Sequence, residues 1–472
     1  MRDGEGLSAD YHLADETMAT PAPSKYQLLM VSIGVFLVQY IQSQALLAPF
    51  LAVSNVGTAL GPDVIGVIFS AYPLATAIAT PLPPRVLRVF GLRGMVCFGL
   101  GMTAAANLAF GLTGAAISSS WDGMWLRGLS VAMVSLRAMG GVGAALAEAG
   151  CLTAVSTAGW GDDTGKALSS IEVTTGIGAA IGAALGGWLY NLGAFLLPML
   201  AATCLPLCMI PFVARWLPSE VAEDDGDNDA PASKDGSAAG VAARRLRMWL
   251  RRCVTCTSLF FSAVVFEGLN PLFEPHLERH PYHFDVPASG MLLATICVLY
   301  TLTALPVGSL VDRLNQGARA GATLRGLMLC GWLATVGAAA LLAPGSGGAV
   351  GAPRDAALWS PSHPVALGAL GGAVLLLGSG AAIIIIPSLP DLQRGLPEHD
   401  VQGRATMCAL WNGVYSAGSA VGPLLSVVVY ARCGWPTIVL AQAAIAIVCA
   451  ALLVLASVCA RTTSMTTPPG AV

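Results

Sequence analysis

The chain has 472 residues, 55% hydrophobic and only 11% charged, with a formal net charge of −3. Soluble domains usually carry about 25% charged residues, and the mean hydropathy here is +0.70, so this composition excludes a fold surrounded by water and requires lipid over most of its surface. The near-balanced, slightly acidic charge gives no case for a nucleic-acid-binding surface.

Residues 1–26 read as a solvated, disordered cytoplasmic tail. Asp3, Glu5, Asp10, Asp15 and Glu16 give neither the basic-then-apolar order of a signal peptide nor the Arg-rich character of a transit peptide. A helix crossing a bilayer needs about 20 apolar residues, because every backbone amide must be satisfied within it. Runs of this kind predict spans over 27–52, 64–83, 94–114, 124–156, 167–190 and 194–216. After a polar gap they continue over 253–277, 287–310, 322–343, 365–389, 404–430 and 435–460.

The gap 217–252 differs in kind. An acidic run (Glu220, Glu223, Asp224, Asp225, Asp227, Asp229) passes through small residues into Arg244, Arg245, Arg247, Arg251 and Arg252. Such a composition predicts a disordered linker with a basic end beside the membrane. It separates an N-terminal six-helix bundle, 27–216, from a C-terminal one, 253–460, followed by a tail over 461–472. The expected fold class is therefore an all-α membrane protein of twelve transmembrane helices in two six-helix bundles.

Orientation follows from basic residues, which favour the cytoplasmic side. With a cytoplasmic N-terminus, nineteen of the 24 Lys and Arg residues fall on that side. Arg127, Arg279, Arg354 and Arg432 fall on the other, and Arg137 lies within a span. An even number of spans returns the C-terminus to the cytoplasm.

The two halves repeat one another at an offset near 225–240 residues, as transporters built from paired bundles do. Span five runs from Glu172 through Gly178, Gly182, Gly186 and Gly187; span eleven runs from Asn412 through Gly418, Gly422 and Pro423. Glu172 thus falls on Asn412. Span one ends Ala48-Pro49-Phe50-Leu51 and span seven Glu274-Pro275-His276-Leu277. The small-residue lines allow close helix packing in lipid and could also form a sliding surface between the halves.

Several of these residues resemble the signatures of major facilitator transporters. Gly308-x-x-x-Asp312-Arg313 is similar to their loop 8–9 gating motif, and Arg137-x-x-Gly140 to their fourth-helix motif, with the glycine one residue early. The line Gly178, Gly182, Gly186, Gly187 resembles the fifth-helix motif of the antiporter subgroup, with Ala183 where proline is usual. In loop 2–3 the copy is eroded, with Pro84 and Arg88 in place of Gly and Asp. Ile65–Ser70, Leu168–Glu172, Asn270-Pro271-Leu272 and Ile386–Asp391 resemble the vesicular amine and polyamine branch, solute carrier family eighteen. That branch places acids in spans one, ten and eleven and a lysine in span two. The matching positions here are Tyr40, Ser379, Asn412 and Tyr72, all uncharged.

Ionisable residues within spans cost several kcal/mol, and usually face the bundle interior with a partner or a function. Glu172 reads either as a proton or cation site or as the partner of Arg137 in a salt bridge. Glu267 and Asn270, three apart on one helix face, line the central cavity or cap a packing network; Glu274 lies a turn beyond. Glu148 lies near the cytoplasmic end, an unfavourable depth for meeting substrate. Gln39, Tyr40, Gln42 and Gln44 give span one a polar stripe, suited to substrate or to inter-helix hydrogen bonds. Trp411, beside Asn412, could stack on a cation or pack as an ordinary aromatic.

Cys253 and Cys256 form a C-x-x-C without a second pair or a nearby His, so no metal or cofactor is expected. No G-x-x-x-x-G-K-[ST] loop is present, which argues against a self-contained ATP-driven pump. The expectation is a monomeric secondary transporter, not an enzyme, in a vesicle, endomembrane or plasma membrane. Its implied partners are the lipid bilayer, a small solute such as an amine or polyamine, and protons moved in antiport. A neutral or anionic solute is the alternative.

Overall fold

The structure, a computed structural model, describes residues 24–45, 62–115, 123–160, 163–193, 195–219, 238–277, 286–315, 320–343, 363–397 and 400–465. The tail over 1–23, the end of span one over 46–52 and the acidic run Glu220–Asp229 lie outside the described residues.

The N-terminal half comprises α1 (Lys25–Ala45), α2 (Pro62–Ile78), α3 (Leu82–Ala115), α4 (Gly123–Ser156), α5 (Thr164–Gly193) and α6 (Leu196–Trp216). The C-terminal half comprises α7 (Ala238–Leu277), α8 (Val286–Leu314), α9 (Ala320–Leu342), α10 (His363–Ile385), the short α11 (Ser388–Gln393) and α12 (Val401–Met465). Helix α12 is two arms meeting at Gly434, whose φ of 77° breaks the helical path; the arms correspond to the expected spans eleven and twelve. Part of the expected linker is helical, since α7 begins at Ala238.

Ten helices among the described residues are long and apolar enough to cross a membrane. The other two long helices are Pro62–Ile78, with 17 residues, and Thr164–Gly193, which carries Lys166, Glu172 and many glycines. The second packs against α1 and α8, so much of its surface meets protein rather than lipid. Large apolar side chains such as Val89, Trp188, Leu302 and Leu440 remain exposed on the outside, as a lipid-facing surface requires.

Small residues set the packing within each half. A side chain at Gly178, Gly182 or Gly186 would run into α1 at Tyr40, Ile41 and Ala45. Gly418 and Gly422 meet α7 in the same way at Phe260 and Val264. Both lines therefore bind helices of the same half, correcting the expectation of a sliding surface between halves. Gly143 of α4 seats on Gly99 and Thr103 of α3, and Gly331 of α9 on Gly380 of α10.

One glycine has a second reason to be there. Gly91, inside α3, has φ 66°, a conformation L side chains rarely adopt, and an added Cβ would collide with the Ser219 carbonyl. The chain leaving α6 is fastened at this kink: Leu92 N donates to Ser219 O at 3.2 Å and Arg93 Nε to Leu217 O at 2.7 Å. The kink makes residues 82–90 a separate helical turn region in loop 2–3.

Candidate transport site

The halves meet along two related seams. On the first, residues 165, 169, 172 and 176 share one face of α5 and lie against α8. The backbone N–H of Gly165 donates to Asp312 Oδ1 at 2.5 Å and that of Lys166 to Asp312 Oδ2 at 3.0 Å. Asp312 thus satisfies free donors at the start of a helix in the other half, where a carboxylate is favoured. Gly308 gives this contact its closeness, since a side chain there would meet Ser169 and the Gly165 carbonyl. The motif glycine and aspartate act at the seam, whereas Arg313 is exposed.

On the second seam the first arm of α12 lies against α2 and α4. Gln402 Nε2 donates to Pro84 O at 2.9 Å, Arg404 Nη1 to Ser156 O at 2.7 Å, and Gly413 closes on the Thr80 hydroxyl. Loops 2–3, 4–5, 8–9 and 10–11 all lie at this end of the molecule, and these contacts shut it.

Two helical turns deeper, about 11 Å at 1.5 Å per residue, each seam carries a buried acid. Glu172, 9% exposed, accepts a hydrogen bond from Tyr300 of α8 at 2.7 Å. Glu148, 8% exposed, accepts one from Asn412 of α12 at 2.9 Å. A third acid, Glu267 of α7, accepts from Tyr415 at 3.2 Å and from Asn270 at 3.0 Å. Tyr40 of α1 lies within electrostatic reach of all three. Trp411 stacks on Tyr415, centroids 6.1 Å apart, and its indole N–H donates to Ser388 at 2.7 Å.

Beneath this cluster a cavity of only about 10 Å³, lined by Glu172, Trp411 and apolar residues including Leu152 and Ile386, has room for about one water. The acids are therefore sealed from the closed end. Asn270 is exposed, and Tyr40, Tyr72, Glu267, Tyr300 and Tyr415 are half-buried.

A second polar group lies entirely in the N-terminal half. Asn107 Nδ2 donates to Gln42 Oε1 at 2.7 Å; Gln42 Nε2 donates to Gln39 Oε1 at 3.3 Å and Tyr72 OH at 3.4 Å. Gln39 Nε2 is buried without a hydrogen-bond partner among the described residues. The Arg137 guanidinium, 7% exposed, lies 4.7 Å from the centre of the Tyr72 ring.

Of the residues singled out in sequence, Gln39, Tyr40, Tyr72, Arg137, Glu172, Glu267, Asn270, Trp411 and Asn412 are brought into these two groups. Gln44 stands beside Gly182 on the α1–α5 contact, and Ser379 bonds to Leu375 of its own helix at 2.6 Å. The Glu274 side chain lies outside the described residues. Two expectations change. Arg137 forms no ion pair with Glu172: the ion pairs among the described residues are Lys166–Asp163 and Arg251–Asp391. Glu148, set aside on depth, reaches the other half. Tyr300 and Tyr415 were not singled out; a hydroxyl placed inside an apolar span is the signal that marks them.

Two helical bundles facing one another across a buried polar cluster, sealed at one end, are the architecture of a multi-pass membrane transporter. Residues 29–406 match the Major Facilitator Superfamily, and the chain belongs to that family. It is an integral membrane transporter of small molecules, not an enzyme. The chain is 22% identical to mouse (Mus musculus) MFS-type transporter SLC18B1 over 400 residues, covering 82% of this chain and 76% of that protein. It is 27% identical over 411 residues to the 3-(3-hydroxy-phenyl)propionate transporter of Escherichia coli K12, covering 79% and 94%. The fold superposes on the human organic anion transporter MFSD10 (TETRAN) with a TM-score of 0.64 at 17% identity, covering 92% and 100%. For the proton:xylose symporter XylE the TM-score is 0.64 at 12% identity, covering 91% and 95%.

Proposed function

We propose that this protein exchanges an organic cation, of the amine or polyamine class, for protons by alternating access. The carrying observation is that Glu148, Glu172 and Glu267 are each held by neutral donors, with no ion-pair partner among the described residues. Burying carboxylates without counter-charges is costly. A bound cation offsets that cost in one state and bound protons offset it in the other, so the two compete for one site. Tyr40, Tyr300, Tyr415 and Trp411 supply ring faces suited to ammonium groups. The similarity to SLC18B1, which belongs by its name to solute carrier family eighteen, supports the same class.

In this reading the protein is a monomer of twelve spans, with bundles over 27–216 and 253–460 and a cytoplasmic linker over 217–252. Both termini are cytoplasmic, so the shut end faces the cytoplasm, in a vesicle, endomembrane or plasma membrane. Gln39, Asn270 and Asn412 would orient substrate, and Gly308 and Asp312 would work the cytoplasmic gate, with the exposed Arg313 of the same motif beside them.

One observation favours a second reading, an organic anion. Arg137 stacks on Tyr72 without an ion pair among the described residues, and could receive a carboxylate, the group carried by the substrate named for the E. coli relative. Proteoliposome uptake of labelled polyamines and of arylpropionates, with and without a pH gradient, decides the matter. Polyamine uptake driven by an acidic interior supports the first reading. Arylpropionate uptake alone supports the second.

A further inference from the structure

The repeat makes loop 2–3 the counterpart of loop 8–9, yet the two seams end differently. In loop 8–9 Asp312 fastens the start of α5. In loop 2–3 the corresponding place holds arginines beside a hollow of about 470 Å³, lined by Thr80, Pro84, Arg85, Arg88, Gln402 and Thr406 among others. Arg85 and Arg88, three residues apart, share one side of the helical turns over 82–90, and both are exposed. Arg85 bonds, among the described residues, only to its own helix's start, at the Pro81 carbonyl, 3.3 Å. Among the described residues neither arginine is ion-paired.

The same turns show a second character. Leu82, Val89 and Phe90 are 37%, 76% and 58% exposed, and Phe90 stacks on the equally outward Phe98, centroids 6.0 Å apart. Leu87 points inward. One side of the segment therefore packs on protein, one presents apolar groups and the adjoining one presents guanidinium groups. That is the pattern of a helix lying in the membrane surface, its apolar face among acyl chains and its basic face among headgroups.

We propose that the hollow is a binding site for the phosphate headgroup of an anionic phospholipid. The phosphate would be held by Arg85 and Arg88 from the N-terminal half and by the second hydrogen of the Gln402 amide from the C-terminal half, the first going to Pro84 O. A ligand touching both halves favours the arrangement in which this end is shut, because its differential contacts exist only there. The proposal does not depend on which solute is carried.

The test uses the full chain in nanodiscs of phosphatidylcholine, with or without phosphatidylglycerol, and counts retained phosphatidylglycerol by native mass spectrometry. Wild type retains phosphatidylglycerol; the R85Q/R88Q variant loses it by roughly 10- to 30-fold, at about three- to fivefold per arginine near an anionic surface, and R85K/R88K recovers part. Both arginines are exposed, so folding is preserved. Equal retention by wild type and R85Q/R88Q overturns the site. Inorganic phosphate displacing the lipid and stabilising the protein in pure phosphatidylcholine would make the ligand a soluble anion and overturn the lipid assignment. Retention that emerges only when Glu220–Asp229 is neutralised would assign the arginines to that acidic run, and would also overturn it.

Discussion

Asn412 of the C-terminal half donates a hydrogen bond to Glu148 of the N-terminal half, Nδ2 to Oε2, at 2.9 Å. By the internal repeat Asn412 is the counterpart of Glu172, which itself bonds across the other seam to Tyr300. Each seam is thus closed at depth by one acid and one neutral donor, at matching heights above the shut end. Opening that end must break both bonds, and each break leaves a buried carboxylate without its donor.

Glu148→Gln keeps the size of the side chain and removes its charge. We expect the variant to reach the membrane folded while gradient-driven uptake falls about tenfold or more, the factor given by losing roughly 1.4 kcal/mol of differential stabilisation. Uptake with and without a pH gradient, beside a melting curve, checks this. Undiminished gradient-driven uptake would make Glu148 a packing residue. Asn412→Ala, which strands the acid, should instead destabilise the protein by about 1–3 kcal/mol.

The membrane fold was legible because lipid enforces length and apolarity on every span. The runs around Lys25–Ala45, Leu196–Trp216 and Ala320–Leu342 needed no tertiary knowledge. Glu172 and Glu267 were visible as charges in apolar runs, but their partners were not, because Tyr300 and Tyr415 come from elements 128 and 148 residues away. Distance from a helix end is a poor guide for Glu148, because Glu172 and Asn412 lie equally deep. The glycine lines announced close packing, but which helix they met depends on the rotation of α5 and α12, which composition does not encode.

Gly308→Val should prevent the shut end from closing. Its side chain would meet Ser169 and the Gly165 carbonyl, and overpacking of this kind costs about 1–3 kcal/mol, shifting the shut-to-open ratio by about fivefold or more. Cys408, fully buried beside Ser156 at the seam, then becomes available to a maleimide. Cys151, buried within the N-terminal half, serves as control. Unchanged labelling of Cys408 with normal transport would remove Gly308 from the gate.

Gly91→Ala should lower the apparent melting temperature by several degrees. A positive φ with an extended ψ of 178° costs an L residue about 1–3 kcal/mol, and the added methyl would strike the Ser219 carbonyl. A melting curve matching wild type would show that the kink relaxes without cost.

The Asp163–Lys166 pair gives the opposite expectation. The Lys166 ammonium, 2.6 Å away, holds the Asp163 carboxyl below its ordinary range. A depressed acid contributes stability above its unfolded pKa and loses it as pH falls through the folded one. Both side chains are more than half exposed, so solvent screens the pair. Asp163→Asn should leave the melting temperature unchanged between neutral and mildly acidic pH, and a clear drop at neutral pH would show that the pair matters.

Glu172 and Glu267 supply the sharpest test of coupling. They come from opposite halves, α5 and α7, and Tyr40 lies within reach of both. Each is held only by neutral donors among the described residues: Tyr300 for Glu172, Tyr415 and Asn270 for Glu267. Under the proposed exchange, protons would neutralise the acids when the site closes around an empty cluster, and an arriving cationic substrate would take their place and release them. Glu172→Gln and Glu267→Gln retain shape and hydrogen bonding but have no charge to exchange. At least one variant should lose pH-driven uptake, while still exchanging labelled for unlabelled substrate at equal pH on both sides. Pairing Glu172→Gln with Tyr300→Phe should give a combined loss smaller than the sum of the single losses, because the two side chains share one bond. If both Gln variants keep full gradient-driven transport, these carboxylates are structural and the proton travels by another route.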